Sequence, residues 1–325
     1  MPAVIADSLT LPRIEVSSAD VVRSRGVSRV VDAPRQTEGN GFIVRRPLPS
    51  VAVPDADPFL LLDHMGGADV EFGPGEAVGT PWHPHRGFET VTYLLDGYAR
   101  HRDSLGGGGN LGPGDTQWMT AGSGILHIEE PSEEIVRSGG PLHGVQLWVN
   151  LPASAKFTPP RYQDLRAEST TLLASADGAS LVRLIAGNLG GHRGPGETVT
   201  PIVYAHATIP AGSQMIVPWP SRFSALAYVL AGHGTAGPAH RPLVEGQLAI
   251  FGPGASLTLE AASTLPGAAS VGWEVLLLGG LPISEPIARY GPFVMNTEDE
   301  LRVAFDDFRA GRMGQVPADV DREGQ

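Results

Sequence analysis

Two short histidine-containing motifs constrain the fold of this chain more than any other feature. The first is His83-Pro84-His85 and the second, about 40 residues later, is His127-Ile128-Glu129. Side chains at positions i and i+2 of an extended strand leave the same face, roughly 6 to 7 Å apart. If the two strands face each other, three imidazoles and one carboxylate converge on one point. That set suits a first-row transition metal and leaves coordination positions open.

Length and composition predict a mainly β protein of two domains. The 325 residues fit two domains of about 150 residues each. Glycine (42) and proline (29) are abundant, whereas long segments with helical periodicity are scarce, which favours short strands joined by tight turns. Apolar residues make up 42% of the chain, which is enough for ordinary hydrophobic cores.

Charge and residue usage argue against several classes of partner. The formal net charge is −12 without a Lys/Arg-rich run, so the surface repels phosphate backbones and direct nucleic-acid binding is not expected. The chain has no cysteine, which excludes disulfides and Cys-type metal sites. The amino terminus lacks the features of a secretory signal, and the apolar stretch near 271–283 is too short to cross a bilayer. We expect a cytoplasmic protein without a membrane partner.

The second half of the chain repeats the turn pattern of the first. Residues 227–232 echo 92–97, and residues 245–254 echo 113–122, which predicts a duplicated β-barrel. Under this alignment none of the four motif positions keeps a metal-ligating residue. Positions 83, 85, 127 and 129 correspond to Pro218, Pro220, Leu259 and Ala261. Metal chemistry is therefore expected in the first barrel only.

The sequence predicts five parts. A proline-bearing stretch at 151–160 separates the two barrels, and Thr297 with Glu300 forms a capping box that starts a helix. The parts are a flexible amino-terminal extension (1–24), a metal-binding barrel (25–155), a second barrel without metal ligands (156–296), a short helix (297–311) and a tail (312–325).

Several separated segments resemble the pirin family, a branch of the cupin superfamily. They read HPHRGFETVTYLLDG (83–97), LGPGDTQWMTAGSGILHIEEP (111–131), HGVQLWVNLP (143–152), YQDL (162–165) and GPFVMNT (291–297). The resemblance covers about residues 57–308. It implies two tandem cupin (jelly-roll-like) β-barrels with a short carboxy-terminal helix, the first barrel binding iron through three histidines and one glutamate. Carried over by position, those ligands are His83, His85, His127 and Glu129.

The metal and its carboxylate ligand have alternatives. Manganese, cobalt, nickel, copper and zinc also suit imidazole and carboxylate donors, so iron follows from the resemblance alone. In many cupins the carboxylate ligand follows the first motif by a few residues, and Glu89 has that spacing. The pirin pattern places this ligand at Glu129 instead. Glu89 is then expected to have a supporting or structural role.

Neighbouring polar residues carry weaker expectations. Arg86 and Gln117 are predicted to contact and orient the ligands. His64 is predicted to be structural or to lie at the pocket edge, and His143 to line the pocket. His101 is predicted to lie on the surface of a hairpin arm.

The resemblance also implies a function. It suggests a metal-dependent dioxygenase of the quercetin 2,3-dioxygenase type, which opens the ring of a flavonol with O2 and releases carbon monoxide. A small phenolic or enol compound and O2 are then the substrates, and Glu129 is the candidate base. The family includes an alternative role, a metal- or redox-dependent regulator that binds a protein partner as a transcription co-regulator or a modulator of a metabolic enzyme. A non-redox cupin, such as an isomerase, is a third interpretation.

Overall fold

The computed structural model describes residues 6–38, 42–51, 53, 56–67, 71–263 and 272–317. Residue contacts divide the chain into two compact units. The amino-terminal unit comprises the described parts of Gln36–Val44, Pro58–Asp164 and Ile283–Gln325. The carboxy-terminal unit comprises those of Met1–Arg35, Arg45–Asp57 and Leu165–Pro282.

The secondary structure consists mostly of strands. Those of the first half are β1 (Val27–Asp32), β2 (Arg35–Glu38), β3 (Phe42–Leu48), β4 (Phe59–Met65), β5 (Glu71–Phe72), β6 (His83–His85), β7 (Phe88–Asp96), β8 (Ala99–Asp103), β9 (Gly108–Leu111), β10 (Thr116–Thr120), β11 (Ile125–Pro131), β12 (Gly140–Pro141), β13 (His143–Asn150) and β14 (Arg161–Leu165). Those of the second half are β15 (Thr171–Ala174), β16 (Leu181–Ala186), β17 (Asn188–Leu189), β18 (His192–Arg193), β19 (Ile202–Ile209), β20 (Gln214–Pro218), β21 (Leu226–Ala231), β22 (His233–Ala236), β23 (Arg241–Val244), β24 (Gln247–Phe251), β25 (Ser256–Ala261), β26 (Trp273–Gly280), β27 (Ala288–Tyr290) and β28 (Phe293–Met295). The helices are α1 (Ser18–Val22), α2 (Glu133–Ser138) and α3 (Glu298–Arg309), with 3-10 turns at Ser8–Thr10, Ala153–Ala155 and Ala167–Ser169.

Each unit is built on one seven-stranded and one four-stranded sheet. In the amino-terminal unit the strand orders are β14-β10-β7-β13-β4-β3-β2 and β6-β11-β8-β9. In the carboxy-terminal unit they are β1-β24-β21-β26-β19-β16-β15 and β20-β25-β22-β23. The four-stranded sheets have the same strand order, and so do six strands of each seven-stranded sheet, which agrees with the predicted duplication. The seventh strand is at the same edge in both, but it is the last of its set along the chain in one unit (β14) and the first in the other (β1). The sheets are separate rather than closed into the expected barrels.

An apolar core fills the space between the two sheets of the carboxy-terminal unit. Alternate residues of β19, such as Val203 and Ala205, share one buried cluster with Leu257 and Leu259 of β25. Because successive side chains of a strand point to opposite faces, these positions direct one face of each sheet inward. Each fully buried leucine or valine contributes about 1.5–3 kcal/mol to stability.

Strand register identifies the positions of the carboxy-terminal unit that correspond to the metal motifs. Leu257 pairs with Val217 across β25 and β20, as His127 pairs with His83 across β11 and β6. The strand pairing thus places the equivalent of His83 at Val217, one residue before the aligned Pro218, and that of His127 at Leu257, two residues before the aligned Leu259. These residues are also apolar. The second unit therefore has a hydrophobic core where the first has imidazoles.

Part of the amino-terminal segment, predicted to be a flexible extension, packs against the carboxy-terminal unit. Ile14 is fully buried in the core of the carboxy-terminal unit, and its backbone N–H donates to the carbonyl of Ala174 at 2.8 Å. Strand β1, which the sequence assigns to the first barrel, pairs antiparallel with β24. This differs from the predicted division because the pairing joins segments more than 200 residues apart in the chain. Residues 1–5 of the predicted extension lie outside the described residues.

The carboxy-terminal helix begins where the sequence predicts. The Thr297 hydroxyl accepts from the Glu300 backbone N–H at 3.2 Å, and the Glu300 carboxylate accepts from the Thr297 backbone N–H at 3.0 Å, which completes the capping box. Leu301 and Ala304 are buried in a cluster with Phe293. Residues 318–325 of the predicted tail lie outside the described residues. Across the described part of the chain, no helix is long and apolar enough to cross a membrane.

Candidate metal centre

Three imidazoles converge on the four-stranded sheet of the amino-terminal unit. Strand β6 pairs with β11, and the register places His127 opposite His83. His83 and His85 share one face of β6, and their Nε2 atoms lie 3.1 Å apart. The ring centre of His127 is 4.3 Å from that of His83 and 4.8 Å from that of His85. One coordinating nitrogen of each ring lies within 4.8 Å of the other two.

Backbone carbonyls fix the tautomers of two of these rings. His83 Nδ1 lies 2.8 Å from the carbonyl oxygen of Pro81, and His85 Nδ1 lies 3.2 Å from that of Pro292. A carbonyl oxygen can only accept a hydrogen bond, so each Nδ1 carries the proton and each Nε2 presents a lone pair. Two lone pairs 3.1 Å apart repel each other unless a cation or a proton lies between them.

The third ring is oriented by another histidine. His127 Nδ1 lies 3.4 Å from His101 Nδ1, and His101 Nδ1 also lies 3.1 Å from the Gln117 amide nitrogen. Because that amide nitrogen donates, His101 Nδ1 is an acceptor and His127 Nδ1 carries the proton. His127 Nε2 is then a lone-pair donor that is buried without a hydrogen-bond partner. A buried polar atom of this kind is costly unless it binds something.

Burial keeps two of these imidazoles, those of His85 and His127, neutral. The pKa of His85 and that of His127 are both well below the usual histidine range, because burial disfavours the charged form and the neighbouring His83 adds repulsion. Neutral imidazole is the form that ligates a metal, so no proton has to leave these two rings at neutral pH.

Glu129 reaches the same region, and both of its carboxylate oxygens accept hydrogen bonds. One oxygen, Oε1, accepts from the Thr92 hydroxyl at 2.8 Å and from the Gln117 amide at 2.7 Å. The other, Oε2, accepts from the Gln146 amide at 2.7 Å. All three donors belong to the seven-stranded sheet, whereas Glu129 belongs to β11 of the four-stranded sheet. The candidate centre therefore lies between the two sheets of this unit.

The carboxylate forms a second group of close ligand atoms. Atoms of His101, His127 and Glu129 lie within 4.8 Å of one another. His127 is thus shared between this group and the three-histidine group. The structure brings all four predicted ligands into one region but does not place them in a single four-member set.

His101 belongs to this region, and the prediction that it lies at the surface was wrong. Its side chain is buried, pairs across the sheet with Glu129, and stacks on Tyr162 with ring centres 5.0 Å apart. Strand alternation predicted that His101 and Asp103 lie on one face of β8, because they are two residues apart. The local sequence did not show that this face is the inner one.

The two predicted orienting residues have different outcomes. Gln117 donates to both Glu129 and His101, as described above. Arg86 instead donates from Nε to the carbonyl oxygen of Ser123 at 2.7 Å and pairs with Asp307 at 2.8 Å. It follows His85 directly in the chain, and strand alternation sends its side chain away from the imidazoles.

Glu89, the alternative carboxylate, is buried elsewhere. It accepts from the Thr120 hydroxyl at 2.7 Å and belongs to neither group of close ligand atoms among the described residues. Thr92, three positions later on β7, contacts Glu129. An odd offset on a strand places two side chains on opposite faces, so Glu89 faces away from the candidate centre.

His64 and His143 form a separate buried pair. Their Nε2 atoms lie 2.8 Å apart, and their ring centres are separated by 5.0 Å. Neither belongs to the two groups of ligand atoms found in the described residues. The structural interpretation of His64 agrees with this arrangement, whereas the expected role of His143 in the pocket stays a prediction.

The donor set fits a first-row transition metal. Three imidazole nitrogens and a nearby carboxylate match Fe, Mn, Co, Ni, Cu or Zn, whereas Mg and Ca prefer oxygen ligands. His83 and Glu129 are partly exposed, while His85, His101 and His127 are buried. The side of the centre formed by His83 and Glu129 is therefore the more exposed one.

Comparison with known proteins identifies the family. The family model described as Pirin matches residues 41–149, and that of the Pirin C-terminal cupin domain matches residues 204–314. A pirin-like protein from Solanum lycopersicum is 40% identical over 299 residues, which cover 90% of this chain and 94% of that protein. A protein of Pseudomonas aeruginosa, named provisionally as a quercetin 2,3-dioxygenase, is 41% identical over 284 residues, 86% of this chain and 95% of the relative.

A solved structure shares the whole architecture. The crystal structure of quercetin 2,3-dioxygenase from Acinetobacter baumannii superposes with a TM-score of 0.81 at 34% identity. The match covers 90% of this chain and 100% of that one. Both units therefore have the cupin fold.

Proposed function

Because the chain belongs to the pirin family of two-domain cupins, we propose that its amino-terminal cupin is a metal-dependent dioxygenase of the quercetin 2,3-dioxygenase type. The observation that carries the proposal is the convergence of three imidazole lone pairs, one of them on a buried atom without a hydrogen-bond partner. The similar proteins that bear this enzyme's name add support.

His83, His85 and His127 would hold the metal through Nε2, and Glu129 is the proposed fourth ligand. Iron is the proposed metal, on the basis of the family. A bound ion of this kind supplies Lewis acidity toward a substrate hydroxyl and, in the case of iron, redox chemistry toward O2. In the overall reaction both atoms of O2 enter the ring-opened product, and one ring carbon leaves as carbon monoxide.

Glu129 is also the proposed base for the hydroxyl proton of the enol. Its carboxylate accepts hydrogen bonds from Thr92, Gln117 and Gln146. Those donors hold the carboxylate at the partly exposed side of the centre, where a substrate hydroxyl would arrive. A proton transferred to Glu129 would weaken its hold on the metal, which links its two proposed roles.

The proposal is tested by incubating the iron-loaded protein with quercetin in air and under nitrogen. Loss of quercetin absorbance and release of carbon monoxide are followed together. Turnover that requires both iron and O2, and that is lost in a folded His127→Ala variant, is the expected result. An iron-loaded protein that leaves quercetin intact in air would overturn the assignment.

That negative result would favour the alternative, a metal- or redox-dependent regulator with a protein partner. The net charge of −12 suits a basic protein surface better than a nucleic acid. Metal content measured on protein purified from its own source distinguishes a redox-active ion from zinc. The cytoplasm stays the predicted location.

A further inference from the structure

The carboxy-terminal segment packs against the metal-binding strand within the amino-terminal unit. The Pro292 carbonyl oxygen accepts a hydrogen bond from His85 Nδ1 at 3.2 Å. Next along the segment, Phe293 forms a parallel bridge with Arg86, and the Val294 backbone N–H donates to the Arg86 carbonyl at 3.1 Å. The backbone that follows His85 is therefore fixed by residues more than 200 positions later in the chain.

An ion pair extends this contact to helix α3. Arg86 Nη1 lies 2.8 Å from Asp307 Oδ2, and the two side chains are only 5% and 19% exposed. Arg86 Nε also donates to the Ser123 carbonyl oxygen at 2.7 Å, and the other oxygen of Asp307 pairs with Arg312. The guanidinium is thus held by a hydrogen bond at Nε and by a close ion pair at Nη1, and both limit its rotation.

The position of this pair links it to the imidazoles. Arg86 and His85 share one peptide bond, so a shift of the Arg86 backbone moves the His85 ring. The His85 ring has its Nε2 atom 3.1 Å from that of His83, and metal affinity depends on such ligand atoms being held in place before the ion binds.

Another acidic residue on the same helix provides a contrast. Asp306 pairs with Arg309 at 3.1 Å, and their side chains are 67% and 72% exposed. Exposed pairs between neighbouring turns contribute little because water screens them. Asp306 therefore has the chemistry and the helix of Asp307 without its contact to the strand.

We propose that Asp307 is a positioning residue of the metal centre, which acts through Arg86 on the orientation of His85. The inference rests on the proposed metal site but not on the reaction assigned to it. Among the described residues, Asp307 belongs to neither group of close ligand atoms, so its effect would be on the geometry and the affinity of the site.

The test uses Co2+ as the probe, because its visible spectrum reports ligand geometry. Co2+ affinity is measured on the full-length protein by competition with a chromophoric chelator. Asp307→Asn is expected to weaken binding about 10-fold or more and to shift the Co2+ spectrum, whereas Asp306→Asn changes neither. Arg86→Gln should have the effect of Asp307→Asn, and the double variant should be no weaker than Arg86→Gln alone.

The outcomes separate this inference from the proposed function. Wild-type affinity and spectrum in folded Asp307→Asn would overturn the positioning role, as would an equal loss in Asp306→Asn. A wild-type protein that binds no Co2+ would instead remove the metal site itself. Tight Co2+ binding without quercetin turnover in the iron-loaded protein would remove only the proposed reaction.

Should Asp307→Asn not fold, Asp307→Glu replaces it. The extra methylene displaces the carboxylate from the position in which Asp307 Oδ2 lies 2.8 Å from Arg86 Nη1. The Co2+ affinity of Asp307→Glu should then fall severalfold, whereas that of Asp306→Glu should not change. Equal affinity in these two variants would overturn the inference.

Discussion

The Nδ1 atoms of His101 and His127 lie 3.4 Å apart in the amino-terminal cupin. His101 thereby does for His127 what the carbonyl oxygens of Pro81 and Pro292 do for His83 and His85. In each case the partner accepts a hydrogen bond from the protonated Nδ1, which leaves Nε2 available. The three candidate ligands therefore have the same tautomer through different partners.

Removing the acceptor of His101 should weaken metal binding. His101→Phe keeps an aromatic ring against Tyr162 but leaves the His127 Nδ1 proton without its acceptor. We expect metal affinity to fall about 10- to 100-fold, measured by competition with a chelator. The control is His206→Gln, which replaces a buried histidine of the other unit. This variant should bind metal as the wild type does. Unchanged affinity in His101→Phe would contradict the assigned tautomer.

Substitutions of Glu129 and Glu89, the two candidate carboxylates of the first cupin, should have different effects. Glu129→Gln puts an amide NH2 where a carboxylate oxygen now accepts from Thr92, Gln117 or Gln146. We expect quercetin turnover to fall about 100-fold or more, together with metal affinity. Glu89→Gln should change stability only, since Glu89 contacts Thr120. If Glu89→Gln instead lost metal and turnover while Glu129→Gln kept both, Glu89 would be the ligand.

Lys156, the only lysine of the chain, should stabilise the first cupin. Its Nζ is buried and donates to the carbonyls of Gly87 and Val294 and to the side-chain oxygen of Asn150, at 2.8 to 3.0 Å. Lys156→Met removes this donor from three buried acceptors, so we expect a loss of about 3 kcal/mol at pH 7. Urea unfolding of the two proteins measures the difference.

The same lysine predicts a pH dependence. Burial lowers the pKa of Lys156 to about 8, from 10.5, so between these values the unfolded chain holds a proton that the folded chain has released. The contribution of Lys156 to the free energy of unfolding therefore rises between pH 8 and pH 10.5 and does not change with pH below that range. The free-energy difference between wild type and Lys156→Met should grow by about 2 kcal/mol between pH 7.5 and pH 10. A constant difference would contradict the lowered pKa.

Gly87 should not tolerate a side chain. Its φ is +88°, and a Cβ would lie 1.9 Å from the carbonyl oxygen of Val294. Gly87→Ala must displace backbone, so we expect a loss of more than about 3 kcal/mol in thermal or urea unfolding. Gly75→Ala has a similar φ of +78° with open space around it and should cost only about 1 kcal/mol. Equal effects would mean that backbone conformation alone matters at Gly87.

Local sequence was sufficient for the ligand motifs and for one helix. The i and i+2 spacing predicted that His83 and His85 share a face, because strand alternation depends only on neighbouring residues. The capping box of Thr297 and Glu300 predicted the start of α3 for the same reason. Family resemblance then supplied the two-cupin fold, which periodicity alone could not.

Other features depended on pairings between distant segments. The sequence by itself determined which residue types sit on one face of each short strand, and so which side chains could bind a metal together. Only the tertiary structure decided which faces are inner ones. It buried His101 and turned Arg86 toward Asp307, and it paired β1 with β24. The physical reason is that alternation fixes a side chain's direction relative to its own strand, whereas burial and partners depend on which strands and helices fold against it.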